Sequence, residues 1–124
     1  MDEDLLLDLF STLPAVRIKR MFGGQGIFSD DLMVAIVISG EIQMKVDEET
    51  RSAFEQAGCT QWAYLRKGRP VPMSFYSLPE EALDDMDEMA LWAERAFQAA
   101  KRTAEKAPRK QRAKRKSARA EVIG

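Results

Sequence analysis

Three short runs of residues typical of β-strands, joined by only two polar residues each, constrain this chain most strongly. The runs are residues 26–29, 32–38 and 41–46, and the connections are Asp30-Asp31 and Ser39-Gly40. Asp and Gly tolerate the positive φ that tight hairpin turns require. The three runs are therefore predicted to form an antiparallel meander.

The hydrophobic pattern of the meander predicts which strand is central. Residues 32–38 are apolar throughout, which predicts a strand that is covered on both faces or lies in the middle of the sheet. The run 41–46 alternates between apolar and polar residues, which indicates one face on the core and one face, with Gln43 and Lys45, in water.

Helical spacing and alternation predict further elements on both sides of the meander. Before the meander we expect a helix over about residues 2–13 that buries Leu6, Leu9, Phe10 and Leu13, and an imperfect strand over 16–22. After the meander we expect a helix over 48–57, capped by Asp47, that buries Phe54 and Ala57. Two strands near 61–66 and 71–76 and a long helix capped by Asp85 follow. Pro70 and Pro72 favour an edge or a bulged start for the second of these two strands.

The long helix carries an apolar stripe that is expected to pack on the sheet. Its members are Met86, Met89, Ala90, Ala93, Ala96, Phe97 and Ala100. Leu91 and Trp92 fall off this stripe, so they are candidates for contact with a protein partner or a second copy of the chain. Packing of this pair under the N-terminal helix is the alternative.

Charge is divided unequally along the chain. Residues 1–100 carry 9 basic and 18 acidic side chains, a net charge of −9, whereas residues 101–124 carry 10 basic and 2 acidic side chains, a net charge of +8. Residues 109–119 are rich in Lys, Arg and Ala and cannot bury enough surface to fold alone. We therefore predict a folded domain over 1–104 and a basic, disordered tail over 105–124.

The basic tail can attract nucleic acid by displacing counterions, without reading any base. The residues expected to contact phosphates are Lys110, Arg112, Lys114, Arg115 and Lys116. Stacking on single strands is not expected from the tail, because no aromatic residue lies among its charges. The alternative is a tail that only keeps the protein soluble or folds back on the acidic body.

The composition offers little catalytic or metal-binding chemistry. The chain contains no His, the usual general base and metal ligand at neutral pH, and its single Cys59 follows the C-terminal end of a predicted helix, where no helix dipole activates a thiol. The Gly-rich segment 23–26 lacks the Lys of a phosphate-binding loop. We therefore expect no enzyme activity, no cofactor and no metal.

No apolar run approaches the roughly 18 residues that span a bilayer, and the acidic N-terminus is unlike a secretory signal. A cytoplasmic protein without a membrane partner is expected.

Several motifs, taken together, resemble the N-terminal domain of the TfoX/Sxy family. In chain order they are Arg20-Met21-Phe22-Gly23-Gly24-Gln25-Gly26-Ile27-Phe28, Lys45-Val46-Asp47, Thr50-Arg51, Phe54, Ala57-Gly58, Gly68-Arg69, Met73-Ser74-Phe75-Tyr76, Leu78-Pro79 and Leu83-Asp84-Asp85. The match extends over about residues 10–100. Competence regulators of this family have a second, C-terminal domain, and this chain has only the basic tail in that place.

The resemblance implies an α+β fold with two layers, in agreement with the pattern of predicted strands and helices. We expect an antiparallel sheet of about five strands with helices packed on one face. The resemblance also implies a bacterial cytoplasmic protein, since the best-known members are positive regulators of natural competence genes that act alongside the cyclic-AMP receptor protein.

Our leading hypothesis is a non-enzymatic regulatory adaptor. Its body would bind a protein partner, such as a transcription factor or RNA polymerase, and its tail would add non-specific attraction to DNA or RNA. One alternative is a self-associating structural protein, for example a homodimer, with a merely solubilising tail. An enzyme is a further alternative only if Lys45, Tyr64 or Arg69 converge in a deep pocket.

Overall fold

The computed structural model describes residues 1–106, which form a sheet of six strands and four helices. The strands are β1 (Val16–Met21), β2 (Gly24–Ser29), β3 (Leu32–Ile38), β4 (Glu41–Lys45), β5 (Gln61–Arg66) and β6 (Arg69–Ser77). The helices are α1 (Glu3–Leu9), α2 (Arg51–Gln56), α3 (Glu81–Asp84) and α4 (Met86–Glu105). The strand order is β1-β2-β3-β4-β6-β5, with antiparallel neighbours throughout.

The predicted α+β class is confirmed, but the sheet has six strands, not about five. The additional strand is β1, which was expected to be imperfect because its side chains do not alternate cleanly. In the structure all six of its residues pair with β2. Weak alternation is compatible with regular pairing here because β1 is an edge strand and needs little burial.

Four turns of two residues set the register of the sheet. They are Phe22-Gly23, Asp30-Asp31, Ser39-Gly40 and Lys67-Gly68, and all of their φ angles lie between 50° and 77°. Positive φ at both central residues is the type I′ geometry, whose twist matches that of the flanking strands. The predicted tight turns within the meander are therefore confirmed.

The described helices pack on one face of the sheet. Ala35 and Val37 of β3 pair with Met44 and Ile42 of β4, so these four side chains point to the same face. Side chains of α1, α2 and α4 cover this face and form the main core with it. β3 lies in the middle of the sheet, as its apolar sequence predicts.

Helices α1 and α2 are shorter than predicted. α1 ends at Leu9 and is followed by a turn, although the expected Leu6, Phe10 and Leu13 are buried. α2 begins at Arg51 because the turn before it is stabilised separately by the Asp47 carboxylate. The predictions that α2 starts at residue 48 and buries Ala57 are wrong, whereas Phe54 is fully buried.

Helix α4 has the predicted N-cap but a different buried face. The Asp85 carboxylate accepts hydrogen bonds from the backbone N–H groups of Asp87 and Glu88, at 2.9 and 3.2 Å. Met86 is 75% exposed, so its place in the apolar stripe is wrong. Trp92, expected off the stripe, is 6% exposed and belongs to the core.

The β5–β6 hairpin extends beyond the rest of the sheet. β6 pairs with β4 through Phe75, Tyr76 and Ser77, and the preceding half of β6 has its paired residues on β5. Pro70 and Pro72 lie in that half, which pairs with β5 and not with β4, so the missing N–H donors remove no hydrogen bond to a strand on the other side. The edge position that the prolines predict thus applies to part of the strand.

The sheet curves toward the face opposite the helices, which we call the open face. The ring centroids of Phe22, after β1, and Tyr64, on β5, lie 6.0 Å apart. Three strands separate β2 from β5, so a flat sheet would hold these two strands about 19 Å apart. Ile36 and Gln43 lie on the open face and yet are only 1% and 6% exposed, in keeping with this curvature.

Burial of Gln43 corrects the expectation that this side of β4 faces water. Its side-chain oxygen Oε1 is buried and accepts no hydrogen bond from residues 1–106. The alternation of β4 indicated the correct face, because Gln43 points away from the main core. Curvature of the sheet, which single-strand alternation does not encode, accounts for its burial.

Gly24 is required where β2 approaches β3 closely. A Cβ atom at Gly24 would lie 1.9 Å from the carbonyl oxygen of Val37, whereas one at Gly23 would meet nothing within 4 Å. We predict that Gly24→Ala lowers the free energy of unfolding by about 3 kcal/mol, because backbone atoms must move apart. Urea denaturation of the purified protein measures this loss.

Gly23→Ala is the matched control for this prediction. Gly23 has φ +73°, so an alanine there meets only the left-handed backbone penalty of about 1–2 kcal/mol. Equal losses in the two variants would contradict the assigned close approach.

Candidate functional site

The five tail residues predicted to contact phosphates lie outside the described residues. They are Lys110, Arg112, Lys114, Arg115 and Lys116. Their role therefore stays a prediction, as does the domain boundary at residue 104.

The two residues predicted to contact a protein partner differ in exposure. Leu91 is 45% exposed, whereas Trp92 packs against the ring of Phe54 with their centroids 4.6 Å apart. The Trp92 indole N–H donates to Glu88 at 3.3 Å, and the guanidinium of Arg95 lies 4.5 Å from the Trp92 ring centroid. The Trp92 side chain thus packs within the fold. Of the two predicted residues, Leu91 is the one whose side chain is exposed for contact with a partner.

The groove that Lys45 lines does not contain the other two side chains considered for an enzyme. Lys45 lines an open groove of about 480 Å³, and neither Tyr64 nor Arg69 is among the lining residues of that groove. Burial lowers the pKa of Lys45, and the charge of Asp47 opposes this effect.

Cys59 is half-buried and free, as expected of an inert thiol. Burial raises its pKa, although a hydrogen bond with Ser77 works in the other direction. A raised pKa keeps the thiol protonated at neutral pH, which disfavours nucleophilic attack.

Within residues 1–106 no cluster of three or more His, Cys, Asp or Glu side chains has the arrangement of a metal site. None of the helices in this part of the chain combines the length and the apolar character needed to cross a bilayer.

Four aromatic rings form a continuous series across the open face, and we call them the aromatic row. The row runs through Phe22, Tyr64, Trp62 and Phe75, with successive centroid distances of 6.0, 6.2 and 6.2 Å. Phe22 and Tyr64 are 63% and 41% exposed, Trp62 is half-buried, and Phe75 is 7% exposed. The row therefore has an accessible end and a buried end.

Lysine side chains lie over aromatic rings at two places on the open face. The Lys45 ammonium lies 5.3 Å from the centroid of Phe75, at the buried end of the row. The Lys19 ammonium lies 5.9 Å from the centroid of Phe28 on β2. Cation–π attraction holds each charge above a ring, with Lys19 exposed and Lys45 half-buried.

Basic side chains of the body are concentrated on the strands and the β5–β6 turn. Seven of the nine basic residues within 1–100 lie there: Arg17, Lys19, Arg20, Lys45, Arg66, Lys67 and Arg69. The segments 9–29 and 56–79, which carry six of these cations and all four rings of the aromatic row, contain no Asp or Glu. The structure pairs Arg17 with Asp31 at 2.5 Å, and within residues 1–106 it gives the other six no ion pair.

An ion pair joins the end of β4 to the last turns of α4. The Asp47 carboxylate accepts from Arg102 Nε at 2.7 Å and Nη2 at 3.2 Å, and it also accepts from the backbone N–H groups of Glu49 and Thr50. The Asp47 and Arg102 side chains are 13% and 24% exposed. Hydrogen bonding from Arg102 holds the pKa of Asp47 below its usual value, although desolvation acts against it.

This ion pair fixes the point from which the tail continues. Lys106, the last described residue, lines the same groove as Lys45 and Arg51. The described part of the chain therefore ends in the groove that Lys45 also lines.

Sequence patterns do not reveal the whole aromatic row, because Phe22 lies far from Trp62 and Tyr64 along the chain. Trp62 and Tyr64 alternate along β5, and the turn that follows carries Arg66, Lys67 and Arg69 with no acidic residue nearby in sequence. Aromatic residues interleaved with cations are typical of nucleic-acid-binding surfaces. That pattern was present in the sequence, but the contribution of Phe22 was not.

Comparison with known proteins finds one family model that covers most of the chain and a curated relative. The model of the family described as TfoX N-terminal domain matches residues 8–100. A curated relative, DNA transformation protein TfoX1 of Aliivibrio fischeri (strain ATCC 700601 / ES114), is 24% identical over 78 residues. This alignment covers 63% of the present chain and 37% of the relative, so it spans little more than a third of that protein.

We predict that Asp47→Asn lowers the free energy of unfolding at neutral pH by about 1–3 kcal/mol, because charged hydrogen bonds to Arg102 are lost. The folded-state pKa of Asp47 lies below its usual value, so its ionised form stabilises the fold above the usual pKa. This stabilisation is lost as the pH falls through the lowered pKa. The difference between the two proteins should therefore shrink in acid, as measured by urea denaturation across pH.

Glu49→Gln is the matched control, because Glu49 also lies 3.3 Å from Arg102 but its side chain is 62% exposed. Its effect should stay within about 0.5 kcal/mol. A stability of Asp47→Asn equal to that of the unsubstituted protein at neutral pH would contradict the structural role of this ion pair.

Proposed function

This chain belongs to the TfoX N-terminal domain family, and from that membership we propose that it is a regulatory adaptor in DNA transformation. The adaptor catalyses no reaction. It binds a protein of the transcription machinery through its helices and is drawn to nucleic acid by its basic tail.

The separation of charge between helices and strands carries this proposal. α1 contains Glu3, Asp4 and Asp8 and no basic residue, and α3 and the first turn of α4 contain only acidic charges. Seven of the nine cations within residues 1–100 lie on the strands and the β5–β6 turn, and ten more cations follow residue 100. Such a molecule presents surfaces of opposite charge, which suits it to join a basic protein to an acidic polymer.

The acidic helices also carry exposed apolar side chains. These are Leu5, Leu7, Leu83, Met86 and Leu91, each between 41% and 75% exposed. Apolar side chains among carboxylates fit a protein partner that presents apolar and basic groups. A transcription factor or RNA polymerase, which binds DNA through basic surfaces, meets this description.

The tail supplies the electrostatic part of the proposal. Residues 107–124 contain seven basic side chains and one acidic side chain. Their attraction to phosphates does not depend on the nucleotide sequence, so recognition of the regulated gene has to come from the protein partner.

We predict that replacing Lys110, Arg112, Lys114, Arg115 and Lys116 by Gln together abolishes most of the salt-dependent binding to duplex DNA. If the tail engages about five phosphates, the affinity of the natural chain should fall roughly 500-fold between about 50 and 200 mM salt. Electrophoretic mobility shift at several salt concentrations measures both quantities.

Substitution is preferable to truncation after residue 100, because that cut would remove Arg102 and its ion pair with Asp47. Replacement of Arg51 and Arg95 by Gln, on the helices of the body, serves as a control for loss of charge. Unchanged salt dependence in the five-residue variant would remove the tail from the mechanism.

We predict that Leu91→Glu weakens capture of the protein partner from a bacterial lysate by about tenfold or more, because an added charge cannot enter an apolar contact. Leu91 is 45% exposed, so stability should change by no more than about 0.5 kcal/mol. Nuclease-treated lysate and mass spectrometry of the captured proteins separate direct contact from bridging by nucleic acid.

Leu65→Glu is the matched control, because Leu65 is 67% exposed but lies on the β5–β6 hairpin. Equal capture by the natural chain and both variants would contradict a partner site on the helices. A dimer of the natural chain that Leu91→Glu dissociates would instead support self-association through this surface.

A further inference from the structure

We propose that the aromatic row and the cations beside it form a binding site for single-stranded nucleic acid. This site lies on the open face of the sheet, opposite the helices, and it uses none of the tail residues named above. Its test can therefore fail or succeed independently of the function proposed above.

The exposed end of the row is suited to base stacking. Phe22 and Tyr64 expose 63% and 41% of their surface, although neighbouring apolar side chains at this face, such as Ile36, are buried. Their rings are fixed by contact with each other and, through Trp62, with Phe75. A rigid, partly exposed ring loses little conformational entropy when a base stacks on it, and sheets that bind single strands typically stack about two or three bases.

The charge around the row fits a phosphate backbone. Lys19 and Lys45 lie above rings of the open face, and Arg66, Lys67 and Arg69 belong to the hairpin that carries Trp62 and Tyr64. These five cations form no ion pair within residues 1–106. Four of them, all but Lys45, belong to the segments 9–29 and 56–79, which contain no carboxylate to repel an anion, whereas Lys45 has Asp47 nearby. Charge complementarity therefore selects a polyanion as the occupant.

Stacking favours a single strand over a duplex. Bases of a duplex face each other and are not free to lie against Phe22 or Tyr64, whereas bases of a single strand can turn outward. A two-stranded ribbon such as β5–β6 can also enter the major groove of a duplex. That mode would use Arg66, Lys67 and Arg69 and would not need the two exposed rings.

The test uses the full chain and its Phe22→Ala/Tyr64→Ala variant, so that the tail contributes equally to both. Fluorescence anisotropy measures the affinity for labelled oligothymidylate and oligouridylate of about twelve nucleotides and for a duplex of the same length. We expect the double variant to bind single strands about tenfold more weakly or worse, with its affinity for the duplex unchanged. Leu65→Ala, which removes an exposed apolar side chain from the same hairpin without removing a ring, should bind like the natural chain.

A second measurement keeps the proposal testable if the double variant folds poorly. Oligothymidylate should quench the tryptophan emission of the natural chain through Trp62, and Trp62→Phe should abolish this quenching, because Trp92 is enclosed by the core. Stronger binding of oligothymidylate or of oligouridylate would identify the site as one for DNA or for RNA, and either result supports the proposal.

Equal affinity of the natural chain and a folded double variant for both single strands would overturn the proposal. An equal loss for single strand and duplex would also overturn it, because phosphate contact alone would then account for binding. Absence of tryptophan quenching at saturating oligonucleotide would do the same.

Discussion

Register in this sheet depends on four two-residue turns that are left-handed at both positions. A slip of one residue between β3 and β4 would exchange Ala35 and Val37, which face the helices, for Ile36, which faces the other way. The turns thereby decide which side chains form the main core. They also place the aromatic row, because Phe22 lies within one turn and Tyr64 lies three residues before another.

Much of the fold could be predicted from local patterns. The bounds of β3 and the tight turns at residues 30–31 and 39–40 were correct, since apolar runs and turn residues act over a few positions. Helix limits were less accurate, because Asp47 stabilises a separate turn before α2. The exposure of Trp92 was predicted wrongly because its burial depends on Phe54, which belongs to another helix, and on Arg95, whose guanidinium lies over the Trp92 ring.

The candidate site could be predicted only in part. The interleaving of Trp62 and Tyr64 with cations is visible in the sequence, but the position of Phe22 depends on curvature of the whole sheet. Phe22 and Tyr64 lie 42 positions apart, in a turn and on a strand that a flat sheet would keep well separated. No periodicity within one strand encodes such a contact. Ion pairing of Asp47 with Arg102 has the same character, since 55 positions separate its partners.

The shared groove of Lys45 and Lys106 has a consequence for avidity. Two weak contacts on one polymer reinforce each other when a short chain connects them, because the second contact forms at an effective concentration in the millimolar range. The described chain ends at Lys106, in the groove that Lys45 also lines, and the Lys45 ammonium lies over Phe75 of the aromatic row. A strand held by stacking on the sheet would therefore meet the tail without a second diffusional search. Such bivalent capture would let a small protein hold nucleic acid tightly with two individually modest surfaces.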